Sequence, residues 1–222
     1  MPDRYWPLTG LRLSTERLTL RPWTEADLEM VSDALPADVA LDPAAPRFDL
    51  GDAQRVRGVM THQDYWRQMG TWTPQEWRLT FLVHADGQFV GCQGLEGSDF
   101  PDLRTVDSSS FLVPGARGRG LGKEMRCAVL ALAFGPLGAL AAITSAWHHN
   151  HPSLGVSRAL GYQPNGESLH RRDDGEGVDT MVHLRLLRAD WLASGLADGV
   201  TVTGTEACLP FFGLDHSPED TA

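Results

Sequence analysis

A chain of 222 residues with 42% hydrophobic composition is long enough to bury one sizeable core, and a single large domain is the expected arrangement at that length. Its net charge of −10 argues against nucleic acid as a general partner. The N-terminal MPDRYWPLTG has no apolar signal region, and residues 127–143, the longest apolar stretch, are broken by glycines and Pro136, so a cytoplasmic protein with no membrane partner is expected.

Taken in order, Arg17 to Trp23 (RLTLRPW) alternates apolar and polar residues and is predicted as a strand. Thr24 follows as an N-cap with Asp27 as its capping-box partner, and the helix over Glu25 to Leu35 stops at Pro36. Residues 36–51, rich in Pro, Ala and Asp, read as a loop. Asp52 to Met69 supports one or two helices, with an imperfect apolar stripe of Val56, Val59, Met60, Trp66 and Met69. The aromatics Tyr65, Trp66, Trp72 and Trp77 read either as core packing or as a wall over an acceptor pocket.

Arg78 to His84 and Gln88 to Leu95 are β-branched and aromatic runs joined around Asp86-Gly87, a strong hairpin signal. After a polar connection over 96–104, Thr105 to Val113 is predicted as a strand ended by Pro114. The helix over Gly120 to Phe134 is apolar on most sides and therefore buried, and Gly135-Pro136 ends it. Ala141 to Trp147 reads as a central strand, and Asn150 to Leu160 as a helix closed by Gly161. Residues 162–172 and 178–187 form a final hairpin around the DDGEG turn, followed by a short helix over Ala189 to Ser194. The tail Val200 to Phe212 alternates and adds an edge strand or a dimer contact. The order β-α-α-β-β-β-α-β-α-β-β predicts an α/β domain with a mixed sheet and helices on both faces.

The stretch Val113 to Met125 (VPGARGRGLGKEM) joins a predicted strand to a predicted helix. Gly118, Gly120 and Gly122 are interleaved with Arg117, Arg119 and Lys123. Glycine lets backbone approach a ligand closely, and a helix N-terminus offers unpaired N–H groups and the positive end of a dipole. Within an acidic chain, residues 112–126 also reverse the local sign, with Arg126 added to the three basic residues above and Glu124 alone opposing them. Strand, glycine turn and helix thus describe a pyrophosphate cradle; a solvated tight turn is the simpler reading of the same spacing. Cys92, Cys127 and Cys208 are odd in number and widely spaced, which fits neither a disulfide framework nor a zinc pattern and suits buried thiols.

Arg117-Gly118-Arg119-Gly120-Leu121-Gly122 matches the Q/R-x-x-G-x-G/A signature of the GCN5-related N-acetyltransferases, in the expected place between strand and helix. The later AWHHNHPSLGVSRALGY resembles the ribosomal-protein alanine acetyltransferase branch, whose N-x-x-S falls here on Asn150 and Ser153. The segments YWPLTGLRLSTERL, DFPDLRTVDSSS, EMRCAVLALAF and CLPFFG are similar to an actinobacterial subgroup with a mycobacterial member regarded as succinyl-CoA-dependent. The resemblance covers about residues 11–190, the implied acyltransferase domain, leaving 191–222 as a C-terminal extension. It implies a twisted, mostly antiparallel sheet of six to seven strands whose fourth and fifth strands splay apart.

The resemblance further implies that backbone N–H groups from Arg119 to Lys123, flanked by Arg117 and Gly118, hold the pyrophosphate of CoA, as the physics of the cradle independently suggests. The strand 109–113, with Phe111, Leu112 and Val113, would pair its free edge with pantetheine, and N–H groups near Val113 would polarise the thioester. Asn150 and Ser153 start the helix beside it; Ser153 either hydrogen-bonds the leaving sulfur or only caps the helix. Asp107 is the first choice of base, on the strand leading to the cradle, and Glu96 the second; each is otherwise a solvated charge. Tyr162 is read as structural. The run His148-His149-Asn150-His151 is not read as a metal site, because adjacent loop side chains rarely converge and no Cys, Asp or Glu cluster lies nearby in sequence; a histidine base stays open.

The function so implied is transfer of an acyl group from a CoA thioester to a primary amine of a small molecule or protein by direct attack. Acetyl-CoA is the default donor and succinyl-CoA its rival, with Arg158, His149 or Arg104 as a basic partner for the succinyl carboxylate. The rivals are a non-catalytic acyl-CoA sensor and a nucleotide-binding enzyme. The latter is disfavoured because Lys123 is followed by Glu124 rather than Ser or Thr.

Overall fold

The computed structural model describes residues 4–39, 48–172 and 177–214. Residues 173–176 of the predicted DDGEG turn and part of the loop predicted at 36–51 lie outside them. The first strands are β1 (Arg12–Ser14) and β2 (Leu18–Pro22), then helices α1 (Leu28–Ala34) and α2 (Ala53–Gly70). A long hairpin, β3 (Glu76–Ala85) and β4 (Gln88–Ser98), leads through the single turn α3 (Phe100–Leu103) to β5 (Thr105–Asp107) and β6 (Ser110–Leu112). Then come α4 (Leu121–Phe134), β7 (Ala141–Trp147), α5 (His151–Ala159), the hairpin β8 (Gln163–Arg171) and β9 (Val178–Leu187), α6 (Arg188–Ala193) and β10 (Thr201–Thr203). One sheet joins them in the order β10-β1-β2-β3-β4-β5-β7-β9-β8, with β6 also on β4. All pairings are antiparallel except β5 with β7.

Alternation on the strands divides the core between the two faces. On β3, Leu79, Phe81 and Val83 join the larger cluster with Met125, Ala128, Leu132 and Leu154 of α4 and α5. Leu82 points the other way and meets Trp23, Leu28, Val31 and Cys92. The helix apolar on most sides is indeed buried: every residue from Met125 to Phe134 is shielded from solvent. Residues 206–214 enter the same large core through Cys208, Leu209, Phe212 and Leu214. Trp72 stacks on Trp77 with ring centroids 6.0 Å apart and meets Phe212 edge-on at 5.6 Å, and its Nε1 donates to Phe211 O at 2.9 Å. Trp72 and Trp77 are therefore core residues, while Trp66 lies outside on α2, half exposed, with Nε1 donating to Glu25.

Three differences from the predicted elements bear on the site. The helix expected from Glu25 opens as a 3-10 turn, Glu25–Asp27, because the Asp27 carboxylate is engaged by the N–H and hydroxyl of Thr24 and by Arg21. The polar connection 96–104 is partly strand and partly helix, with Phe100 fully buried against Trp77 at a centroid distance of 5.2 Å. The strand expected over Thr105 to Val113 is cut at Ser108 and Ser109, which, with the edge strands β1 and β10, raises the sheet to ten strands.

Candidate active site

The cut in that strand makes the site. Register with β4 is the same on both sides of it, Glu96 opposite Asp107 and Gln93 opposite Ser110, so no residue is inserted. The backbone instead bends around a buried amide: Gln93 Nε2 donates to Ser109 O at 2.9 Å and Gly94 O at 3.0 Å. Gly94 permits the approach, since a Cβ there would stand 2.7 Å from Ser109 Oγ. On the opposite flank β7 follows β5 only through Ile143. Thr144 Oγ1 donates to Ser108 O at 3.3 Å across the vertex, and from there β7 pairs with β9 alone among the described strands. A V-shaped gap opens between β6 and β7.

Ser109 O and the Val113 N–H are both turned to β4, at 2.7 Å from Gly94 N and 2.9 Å from Val90 O. By alternation, the backbone groups of Ser110 and Leu112 face the gap. Arg117 Nε already occupies the Leu112 carbonyl at 3.1 Å. The donor expected near Val113 is thus not its own N–H, which the sheet consumes; Phe111 likewise pairs with Cys92, and its side chain lines the cleft.

At the wide end of the gap lies the glycine turn. Gly118 and Gly120 have φ of 72° and 80°, and Gly120 caps α4 in the left-handed conformation. The first helical bond of α4 is Glu124 N–H to Gly120 O, so the N–H groups of Leu121 to Lys123 are left without intrahelical partners at the helix start, as an anion requires. Leu121 is buried and anchors the helix start, whereas Gly122 faces the cleft with room for a methyl group. The turn is braced from outside by Arg17, whose Nη1 donates to Arg119 O at 3.1 Å and whose guanidinium pairs with Glu124. Thr15 Oγ1 donates to the same carboxylate at 2.5 Å. Burial pushes the Glu124 carboxyl up, but Thr15 and Arg17 outweigh it and hold it below its ordinary value. Arg119 is exposed and Lys123 half-buried on the first turn of α4. Arg117 is engaged across the cleft mouth, with a bidentate pair to Asp38 at 2.6 and 2.8 Å.

The cleft, about 1150 Å³, runs from this turn to the vertex. Asp107, half-buried at the vertex, is pushed up to about 6 by burial, with the nearby charge of Glu96 adding to the shift. Ser108 N–H, at 2.6 Å from Asp107 Oδ1, pulls the other way. Glu96 is half-buried beside it, but Arg78 Nε lies 3.3 Å from its Oε2, so its charge is already answered. Asp64 of α2, 3.5 Å from Arg78 Nη1, completes an acidic wall on this side. Ser153 lines the opposite wall, half-buried, and its N–H is capped by Asn150 Oδ1 at 3.2 Å. The structure therefore brings Asp107, Glu96, Ser153, Asn150 and the turn residues Arg117 and Gly122 to one cleft.

Arg126 lies beneath the gap, unnoticed in the sequence except as one more basic residue. It is 3% exposed, lines the cleft, and donates to Ser157 Oγ at 2.9 Å and Ser110 Oγ at 3.4 Å. Its Nε has no partner, and no carboxylate pairs with it among the described residues. Burial lowers its affinity for the proton. A charged residue inside the run MRCAVLALAF is the sequence signal that could have marked it. Tyr162 is buried below the vertex, its hydroxyl pushed up to about 12 by burial. Of the proposed partners for a succinyl carboxylate, His149 lines the cleft. Arg158 is exposed on α5, and Arg104 donates to Pro101 O and Leu137 O at the other end of β5. The histidine run is divided: Asn150 caps α5, while His148 and His149 both meet Asp179 of β9.

Solved structures repeat this architecture at low identity. The spermidine/spermine N-acetyltransferase of Vibrio cholerae superposes with a TM-score of 0.62 at 13% identity, over 80% of this chain and 96% of that one. A protein assigned as a ribosomal-protein-serine acetyltransferase from Vibrio cholerae gives 0.59 at 15% identity, over 79% and 97%. An acetyltransferase-fold protein from T. thermophilus gives 0.64 at 18%, over 84% and 93%. At such identities the likeness establishes the fold alone. The family model described as the acetyltransferase (GNAT) domain matches residues 17–163, which hold the hairpin, the cut strand, the glycine turn and the start of the last hairpin. The chain belongs to the GNAT acetyltransferase family.

Proposed function

We propose that this chain is an N-acyltransferase that moves an acetyl group from acetyl-CoA to a primary amine by direct attack, with Asp107 as the base. The observation that carries the reading is the half-buried carboxylate at the vertex of the β6–β7 gap, whose wide end is the glycine turn. Pyrophosphate sits on the N–H groups of Arg119 to Lys123, and pantetheine lies along the gap-facing backbone of Ser110 and Leu112, beside the Phe111 side chain. The thioester then reaches the vertex between Asp107 and Ser153.

An ammonium entering past Asp64 and Glu96 gives its proton to Asp107, directly or through a water. The free amine attacks the carbonyl carbon, a C–N bond forms, the C–S bond breaks, and the remaining amine proton passes to the departing sulfur, while Asp107 returns its own proton to solvent. Asp107 near 6 is largely ionised at neutral pH yet remains a usable proton acceptor. Glu96 is the second candidate, held back by Arg78. The departing thiolate lies between the Ser153 hydroxyl and the unpaired charge of Arg126, which together favour it over the thioester.

Succinyl-CoA is the rival donor; among the basic groups first considered for its carboxylate, His149 has the position for it. The acceptor is a small cationic amine or a protein amine, in keeping with the acidic wall; the Vibrio cholerae neighbour is, by its name, a spermidine/spermine acetyltransferase. A homodimer through the β10 edge and a cytoplasmic location belong to the same reading; no described helix is long and apolar enough to cross a membrane. Release of free thiol from acetyl-CoA and succinyl-CoA is to be followed over a panel of polyamines, aminoglycosides and peptides, alongside calorimetry with CoA. Turnover with one amine class is expected. CoA binding with no turnover on any amine would establish the sensor instead, and light scattering reads the dimer.

A further inference from the structure

At the mouth of the cleft, the turn between β7 and α5 carries two adjacent histidines, and β9 brings a carboxylate to them. His148 Nδ1 lies 2.8 Å from Asp179 Oδ1, and His149 Nδ1 lies 3.4 Å from Asp179 Oδ2. One ligand atom from each of the three residues falls within 4.8 Å of the others. Neighbouring side chains on an extended chain diverge, but this segment folds back. The His148 N–H donates to Thr180 O at 3.0 Å, and the Asn150 N–H donates to Trp147 O at 2.8 Å. The two rings stand at 89° to each other with centroids 5.2 Å apart, so both Nδ1 atoms reach one carboxylate. That carboxylate is itself oriented, since Asp179 Oδ1 accepts from the Thr180 N–H at 2.7 Å.

We propose that His148, His149 and Asp179 form a site for a divalent cation of the zinc class. Zinc bonds of about 2.0–2.1 Å put tetrahedral ligand atoms about 3.3 Å apart. The N···O separations, 2.8 Å to Oδ1 and 3.4 Å to Oδ2, lie on either side of that edge, and with all three ligand atoms within 4.8 Å the carboxylate can share one ion with both rings. Two imidazoles and a carboxylate suit zinc, cobalt or nickel better than magnesium or calcium, which favour all-oxygen sets. Both histidines are exposed, giving the ion a path in and out. Three protein ligands leave a fourth position open, and because His149 and Asp179 line the cleft, it opens there. Arg172, close enough for its charge to act on Asp179, opposes the cation and weakens the site. Adjacent loop histidines seldom converge and no acid lies near these in sequence, but the fold-back of the turn brings the two rings together and the β7–β9 pairing supplies Asp179.

Occupancy would clamp the turn that runs into Asn150 and Ser153 onto β9. The proposal stands apart from the transferase reading, because metal uptake is measured without turnover. The untagged full chain, stripped with a chelator, is titrated with Zn²⁺ by calorimetry and with Co²⁺ by visible absorption. One equivalent at low micromolar affinity is expected, with the intense d–d bands of tetrahedral cobalt. Asp179→Asn should abolish both signals, and His148→Ala or His149→Ala should weaken uptake at least about tenfold, with metal-free melting unchanged. Absence of stoichiometric uptake overturns the site, as does uptake that Asp179→Asn leaves intact.

Discussion

Asp107 is the residue on which stability and activity pull in opposite directions. Its folded value of about 6 stands above its ordinary 3.8, so the fold favours the protonated carboxyl. That contribution is complete below the ordinary value and is lost as pH rises through about 6. At neutral pH the ionised carboxylate therefore costs stability, about 1 kcal/mol once solvent screening of a half-exposed group is allowed for. Asp107→Asn should melt about 2–4 °C higher than wild type at pH near 7.5 and show no such gain near pH 4. The same change should lower kcat by about 10²- to 10⁴-fold if Asp107 is the base, and the wild-type rate should rise through an acid limb near 6. A variant that shows the stability gain but keeps full turnover would move the base to Glu96. Ser153→Ala separates the two roles open to that hydroxyl. Its backbone N–H keeps the Asn150 cap whatever the side chain, so the helix should persist while kcat falls about tenfold at unchanged CoA affinity. Equal turnover would leave Ser153 a lining residue. Asp107 and Ser153 could be named from the sequence because the resemblance to the family marks their positions, with strand alternation in support of Asp107. Arg126 could not be, because nothing in its neighbours along the chain says that Ser110 and Ser157 close over it.

Among the elements, those that follow one local rule were legible. β7 spans the predicted Ala141–Trp147, and α5 starts at its predicted Asn150 cap. The break between β5 and β6 was not, since it is imposed by Gln93 and Gly94 on another strand. No periodicity within TVDSSSFLV announces it. The turn after β6 is legible as a glycine-rich link from strand to helix, and its conformation makes the anion reading testable. At a φ of 80°, a side chain at position 120 costs about 1–2 kcal/mol, and a negative one also repels phosphate. Gly120→Asp should weaken CoA at least about hundredfold in calorimetry; undiminished affinity would refute the cradle. Arg117 behaves differently from its sequence expectation, because Asp38 holds it in a two-toothed pair at the cleft mouth. Phosphate and Asp38 then compete for one guanidinium. The pair is exposed and screened by solvent, so its loss costs little, and Asp38→Asn should tighten CoA by no more than about fivefold. Weaker CoA binding in that variant would show that Asp38 positions Arg117 for the ligand instead.

For the whole molecule, the C-terminal segment decides where the fold ends. The sheet has two ends, β8 and β10. β8 protects its exposed length with Pro164, an irregular register between Pro164 and Glu167, and charged residues, the devices by which natural edges avoid further pairing. β10 instead covers β1, pairing Arg12 with Thr203 and Ser14 with Thr201. Beyond it Phe212 is fully buried, 4.8 Å from the Trp77 ring centre and 5.6 Å from that of Trp72. The alternation VTVT made β10 visible in the sequence, but the docking of CLPFF onto tryptophans more than a hundred residues earlier was not, because no local pattern encodes a partner so distant. Trp77 also packs on Phe100, which precedes β5 and so supports the strand that carries Asp107. Loss of Phe212 should therefore be felt at the vertex. Phe212→Ala should cost about 3–5 kcal/mol by its cavity and lost transfer energy, seen as an earlier denaturation midpoint with an unchanged slope. Were the segment from 200 onward a separate appendage, the variant would unfold at the wild-type midpoint. Phe212→Leu, which refills most of the space, should recover most of the loss, and any accompanying fall in kcat should recover with it.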